Sequence, residues 1–195
     1  MILEPFSPEK HPVREVAALI YDTEPVYFSL VFGRDRTLAL RKIAKPVLAG
    51  GNAFGRENIT CAVRAGKVVG VLVMQAPDAP GLREELFAVA RAAGPVVTAR
   101  FLLAEGLIFS PHYLRRAPEP GYYISSLSVV STERSSGIGA ALLDDAVRRV
   151  RFRGGKTIAL NVIAPIPRRC GCTRGRGFAP SPPTGHGCRV GPLLS

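Results

Sequence analysis

The stretch from Tyr123 to Val150 constrains this chain more than any other: an apolar strand, a tight turn reading Arg134-Ser135-Ser136-Gly137-Ile138-Gly139, then an amphipathic helix. After the turn, Ile138, Ala141, Leu142, Ala146 and Val150 share one stripe at helical spacing, while Asp144, Asp145, Arg148 and Arg149 point largely to solvent. A strand that enters a helix through glycines leaves the first-turn N–H groups without intrahelical partners, at the positive end of the helix dipole. Such a turn cradles anions, so a phosphorylated ligand is expected there. The glycine pair alone is a weak signal, because glycines at helix starts often serve only close packing. Its place after a strand, with Arg134 where a side chain can hold the loop or a phosphate, strengthens it. A dinucleotide-binding unit would want a third glycine after Gly139 and a Walker loop a lysine, and neither is present.

At 195 residues and 47% hydrophobic content, the chain is long enough for one domain with its own core, and a second full domain is not expected. Met1 to Pro5 shows no basic-then-apolar leader pattern, and no run of about 18 uncharged apolar residues occurs. A soluble cytoplasmic protein is the expectation. Of the four cysteines, Cys170, Cys172 and Cys188 crowd into the last 26 residues, which with Cys61 does not make a disulfide framework. The net charge of +11 would ordinarily suggest a nucleic-acid partner. Its distribution argues otherwise: up to Asp145 there are 16 basic and 15 acidic residues, and from Ala146 onward 10 basic and no acidic ones. The basicity belongs to the last quarter alone.

Ser7 to Tyr21 reads as a helix, with Ser7 as cap and Pro8 in the first position. Asp22 to Gly33 is aromatic and broken by Pro25, and a second helix is expected from about Arg34 to Leu48, ended by Gly50-Gly51-Asn52. Alternation at Ile59, Cys61 and Val63, the Ala65-Gly66 turn and the apolar run Val68 to Met74 make an antiparallel hairpin. Gly81 to Phe109 reads as helix in one or two pieces, with a break at Gly94-Pro95. Tyr122 to Val130 is the next strand, and Ile158, Leu160 and Val162 alternate in a further one. From Pro165 to Ser195 there is no periodicity.

This order of elements resembles the GNAT family of N-acetyltransferases over about Met1 to Ala164. The family's Arg/Gln-x-x-Gly-x-Gly/Ala signature matches Arg134 to Gly139, and its Leu-x-Val matches Leu127-Ser128-Val129. The resemblance implies an α/β acyl-CoA N-acyltransferase fold, with a mixed, mostly antiparallel sheet flanked by helices. It implies acetyl-CoA as donor, with no metal, and an amine on a small molecule or protein as acceptor. The pyrophosphate would lie on the loop amides of Ser135, Ser136, Gly137, Ile138, Gly139 and Ala140, behind Arg134, and the pantetheine arm along the backbone of Leu127, Ser128 and Val129. Ser135 stands where the family commonly has glycine and Ser136 where it commonly has Lys or Arg, which lowers the expected affinity for CoA.

Family members often supply a tyrosine acid from an Asn-x-x-Ala-x-x-Leu-Tyr pattern that ends near Gly-Phe. It should fall just after Ala164, where the chain instead runs Pro165-Ile166-Pro167-Arg168-Arg169-Cys170-Gly171-Cys172-Thr173-Arg174-Gly175-Arg176-Gly177-Phe178. The genetic code lets each codon be tested in a shifted frame that begins at its third base. That frame permits Asn-Pro-Ala-Ala-Val-Arg-Leu-Tyr-Glu-Arg-Ala-Gly-Phe, the missing motif in order and spacing. A one-base loss near codon 165 is therefore expected, making 1–164 an N-acetyltransferase domain and 165–195 an aberrant Gly/Pro/Arg/Cys-rich tail without regular structure. The fold's last helix and strands would then be lost, leaving the strand at Leu160 with an open edge.

Acetyl transfer needs a base for the ammonium, a donor for the thioester oxygen and an acid for the thiolate. With the tail tyrosine absent, Glu24 and Tyr27 are the candidate catalytic groups, with Glu57 and Tyr123 also near the expected acceptor side. His11, His112 and His186 have no spacing that suggests a triad. The tail's Cys170, Cys172, His186 and Cys188 lack an ordered scaffold for zinc. Acetyl-CoA and an amine acceptor are the expected partners, without a membrane, and a homodimer is left open. Two rival readings remain: a basic nucleic-acid-associated protein driven by the tail, and a catalytically inactive CoA-binding remnant.

Overall fold

A computed structural model of the chain describes residues 1–79, 81–108, 121–161, 178–180 and 187–190. Strands β2 (Ile59–Arg64) and β3 (Lys67–Gln75) form the expected antiparallel hairpin, turned by Ala65 and Gly66 at φ of 49° and 74°. Two successive left-handed residues match the twist of the flanking strands. β3 pairs antiparallel with β4 (Tyr122–Val129), and β4 pairs in parallel with β5 (Ile158–Asn161). β1 (Ile2–Pro5), which the sequence did not suggest, adds antiparallel to β2.

The C-terminal end corrects the expectation of lost strands. β6 (Phe178–Pro180) and β7 (Gly187–Val190) pair antiparallel, and β7 pairs with β5 through Leu160↔Cys188. The edge at Leu160 is thus covered. Ladder bonds come from the backbone, so an extended segment can close an edge without an alternating side-chain pattern. The sheet has seven strands in the order β1-β2-β3-β4-β5-β7-β6. The reading-frame break at Pro165, Cys170, Cys172, His112 and His186 lie outside the described residues.

Helix α1 (Val13–Tyr21) begins six residues later than expected. The Ser7 carbonyl instead accepts the N–H groups of Lys10 and His11 in a turn. The His11 ring locks this turn: Nδ1 accepts from the Ser7 N–H and Nε2 bonds Glu4 Oε1, both at 3.0 Å. The stretch expected to be broken by Pro25 is a helix, α2 (Pro25–Phe32), because Pro25 stands at its first position, where a missing N–H is no loss. α3 (Arg36–Ala49) is capped by Asp35, whose carboxylate accepts the Leu38 N–H at 3.0 Å. α4 (Leu82–Ala93) and α5 (Pro95–Ile108) break at Gly94 as expected.

The sheet separates two apolar layers. On one face, Val16, Ile20, Phe28 and Ile43 pack with Cys61, Val71 and Val73. On the other, α6 (Ile138–Phe152) lays Ile138, Leu142, Leu143, Ala146 and Val150 against Leu72, Ile124 and Ile158. Burying each such leucine contributes roughly 2 kcal/mol. Gly70 sets how closely α6 approaches. A Cβ there would lie 3.1 Å from Ile138 Cγ2, 3.3 Å from Leu142 Cδ1 and 3.2 Å from the Ser128 carbonyl oxygen. Its missing side chain presses the first turn of α6 onto the sheet beside β4.

Candidate functional site

After β4, a 3-10 turn (Ser131–Glu133) leads to Arg134, and the chain then reverses through two left-handed residues, Ser135 at φ 66° and Gly137 at φ 84°. Gly137 caps α6 with no side chain to offer a cap bond, and the Ser136 hydroxyl donates to the Glu133 carbonyl at 2.6 Å. The first N–H to find a helical acceptor is that of Ala141, bonded to Gly137 O at 2.9 Å. Among the described residues, none of the amides from Ser135 to Ala140 has a backbone acceptor. Six consecutive donors therefore stand at the positive end of a 15-residue helix. These are the residues expected from the sequence to hold a pyrophosphate.

Arg134 holds the loop: its Nε donates to the Val129 carbonyl at 3.2 Å. Arg64, at the end of β2, pairs with Glu133 at 2.6 Å. The cradle is thereby pinned from the strand before it and from the hairpin beside it.

Among the described residues, β5 pairs with β4 only at Tyr122, Tyr123 and Ile124, and no strand pairs with β4 on that side beyond Ile124. The Val130 N–H donates to Val69 O at 3.0 Å, which sets the phase of the β3–β4 ladder. Bonding alternates along an antiparallel pair, so Ser128 faces β3 with its backbone groups while those of Leu127 and Val129 face the other side. Leu127 and the Val129 N–H thus face the side where an amide-bearing arm could be taken up as an added strand, while the Val129 carbonyl already accepts from Arg134.

Where the pairing with β5 stops lies a β-bulge. Met74 is in register with Ile124 but Val73 with Ser126, so Ser125 is unpaired. The bulge turns Ser126 toward α1, where Ser126 Oγ is 3.4 Å from Thr23 Oγ1, itself bonded to Ile20 O at 2.7 Å. Thr23 directly precedes Glu24, the residue capping α2, so the α1–α2 turn sits against the bulge. Glu24 is half-buried, Tyr27 is buried against Phe28, and neither is without a partner. A groove of about 500 Å³ lies between α1 and the end of β4, lined by Glu15, Asp22, Lys67, Val129, Glu133 and Arg134. The sequence-derived candidates thus fall into two adjoining groups, the cradle with its strand and Glu24 with Tyr27.

Glu57 is a correction. Its carboxylate accepts the Gly51 N–H at 2.6 Å and fills the space where side chains at Gly50 and Gly55 would stand. It closes the turn between α3 and β2 and has a structural role. Tyr123 is in register with Gln75 beside the bulge. Sequence reasoning missed Gly70, Arg64 and Ser125. Only Gly70 left a signal, as a glycine inside an apolar strand.

No protein-family model matches the sequence, and no curated protein matches it. Solved structures are similar to it. An N-acetyltransferase from Staphylococcus aureus Mu50 superimposes with a TM-score of 0.73 at 17% identity, covering 97% of this chain and 100% of that one. The Drosophila melanogaster polyamine N-acetyltransferase, described as forming N-acetylagmatine, has a TM-score of 0.55 at 13% identity and covers 96% of each chain. The NatC complex bound to Gag peptide and CoA has a TM-score of 0.51 at 14% identity, covering 99% of this chain and 98% of that one. At these identities the likeness speaks for architecture. The chain has the fold of the GNAT-type acetyltransferases.

Proposed function

We propose that this chain transfers an acetyl group from acetyl-CoA to an amine. The observation that carries the reading is the row of six amides from Ser135 to Ala140 that have no backbone acceptor among the described residues, at the end of a strand that β5 pairs no further than Ile124. A pyrophosphate fits that row, and an amide-bearing arm fits Leu127 and Val129. The neighbour bound to CoA and the one that acts on a polyamine support the same assignment.

The chain's own residues divide the work. The amides of Ser135 to Ala140 bind the donor's phosphates, with Arg134 holding the loop in place. The backbone of Leu127 and Val129 lines the arm and aims the thioester at the bulge, while that of Ser128 is committed to β3. Glu24, next to the Thr23 that contacts Ser126 of β4, accepts the ammonium proton, directly or through one water. Tyr27 relays a proton from the same helix. The amine nitrogen then bonds to the acetyl carbon as the carbon–sulfur bond breaks, and the sulfur leaves with a proton.

A CoA-binding remnant is the second reading, favoured by the absence of the tyrosine motif after Ala164. Thermal melts with acetyl-CoA and thiol release over a panel of amines separate the readings. Saturating donor at about 100 times its Kd stabilises a binding protein by about 2.7 kcal/mol. A melt shift with turnover establishes the transferase; a shift without turnover establishes the remnant. No shift would overturn both, and binding that weakens steeply with salt and vanishes without residues 165–195 would favour the nucleic-acid reading.

A further inference from the structure

Two cations meet at the end of α2 without a counter-charge. A Cβ at Gly33, the residue that ends α2 at φ 109°, would lie 3.5 Å from Arg100 Nη1 and 3.8 Å from Lys42 Nζ. Arg100 comes from α5 and Lys42 from α3, so the fold brings the two charges together against their mutual repulsion. The C-terminal end of a helix favours one cation, and Lys42 fills that role by donating to the Phe32 carbonyl at 2.9 Å. Arg100 is surplus to it. Among the described residues neither side chain pairs with a carboxylate, and the exposed Arg100 side chain makes no hydrogen bond. Asp35, two residues beyond Gly33, commits its carboxylate to the Leu38 N–H at the start of α3. The guanidinium donors and the remaining ammonium donors therefore converge unused on one point of the surface.

That point continues an exposed apolar face. Val26, Leu30 and Gly33 recur at helical spacing, and Val26 and Leu30 are 74% and 47% exposed. Glu24 caps the other end of α2, and the helix between them spans about 12 Å at about 1.5 Å per residue. We infer that the acceptor amine carries a carboxylate or phosphate at its far end, bound by Arg100 and Lys42, with an apolar stretch over Val26 and Leu30. This rests on the transferase reading above, in which Glu24 receives the proton of the amine. An acceptor cationic at both ends would set its second charge beside Arg100 and Lys42, where like charge disfavours it. The end of α2 thus selects amines with an acidic end over polyamines.

The test uses the full chain with acetyl-CoA and three probes: ω-aminodecanoate, the corresponding phosphonate, and the uncharged primary amide of the first. Thiol release gives kcat and KM for each, and nitrogen-15 labelling of arginine side chains reads binding at Arg100 directly. In the wild type at least one anionic probe has kcat/KM about five- to tenfold above that of the amide, and it alone shifts the Arg100 Nε–H signal. Arg100→Gln raises KM for that probe about three- to fivefold and leaves kcat, the melting temperature and the amide unchanged. Arg100→Lys, which keeps the charge, retains most of the preference. Equal kcat/KM for the three probes, or an Arg100 signal that no probe moves, overturns the anion site while leaving the transferase reading intact. Thiol release from no amine overturns the transferase reading, and the Arg100 signal then decides the anion site by itself.

Discussion

Arg64 Nη1 lies 2.6 Å from Glu133 Oε2, joining the end of β2 to the turn that precedes the phosphate cradle across 69 residues of sequence. Both side chains are partly exposed, so the pair adds little to global stability. Its importance is local. Glu133 is the nearest carboxylate in sequence to the row of free amides, and Arg64 neutralises it. Arg64→Ala is expected to weaken acetyl-CoA binding about two- to fivefold, within the range of an exposed pair. The double variant Arg64→Ala/Glu133→Gln recovers most of the loss, and 0.5 M salt shrinks the effect. Isothermal titration of the four forms checks this, and equal affinities would remove Arg64 from the site.

Gly70 places the cradle, because it lets Ile138 and Leu142 close on the sheet. Gly70→Ala must displace Ile138, Leu142 or the β4 backbone, and overpacking of this kind typically costs about 1–3 kcal/mol. The helix N-terminus would move with it. A lower melting temperature together with a smaller stabilisation by acetyl-CoA is expected. Normal donor affinity in a destabilised variant would show that the helix end tolerates displacement.

The two left-handed residues of the loop give opposite predictions. Ser135 adopts φ 66°, a conformation that disfavours an L side chain by roughly 1–2 kcal/mol, while glycine adopts it freely at some cost in unfolded-state entropy. Ser135→Gly should therefore be neutral to stabilising by up to about 1 kcal/mol. Gly137→Ala, at φ 84° with open space around it, should lose about 1 kcal/mol from backbone strain alone. Chemical denaturation of both variants tests the pair.

What the sequence revealed and concealed follows from how far each signal reaches along the chain. The cradle was legible because the glycine turn and the stripe from Ile138 to Val150 lie within a few residues of one another. The same holds for the hairpin and for the Gly94 break. The clamp between Arg64 and Glu133, the fit of Gly70 under α6 and the bulge at Ser125 each depend on a partner from another strand or helix. Helix α2 was obscured because Val26 and Leu30 are exposed while Tyr27, Phe28 and Val31 are buried, so apolar residues surround it and no stripe shows. Ser7-Pro8 read as a helix start because serine's turn and cap preferences overlap, and the contact of His11 with Glu4 decided for the turn.

Cys61 supplies a pH prediction. Its thiol is fully buried at the base of the α1–α3 layer, and burial, with a smaller contribution from the Glu4 carboxylate, pushes its pKa from 9.0 up to about 12. Between those values the unfolded chain loses the proton and the folded chain keeps it, so this group's contribution to stability falls as pH rises from 9 to 12. Cys61→Ala removes that part of the alkaline decline, though it leaves a small cavity and lowers stability at neutral pH. The native thiol should resist alkylation at pH 8 and react once the chain is unfolded. Rapid labelling of Cys61 itself in the native protein, read by peptide mass spectrometry to separate it from Cys170, Cys172 and Cys188, would contradict the burial.

The last prediction concerns the segment after Ala164. A one-base shift near codon 165 permits Asn-x-x-Ala-x-x-Leu-Tyr followed by Gly-Phe, and in the proposed reading that tyrosine would supply the acid that the described residues leave to Tyr27. Comparing this chain with a frame-restored version isolates that group. A general acid of this kind contributes about 10²–10⁴ to turnover, so kcat of the restored chain should rise by that order while donor affinity changes little, because the cradle from Ser135 to Ala140 is common to both. Its melting temperature should also rise, though by less than an uncovered β5 would imply, since β7 already pairs through Leu160↔Cys188. Equal kcat in the two chains would show that Glu24 and Tyr27 suffice, and that the motif in the alternative frame is a coincidence of codon usage.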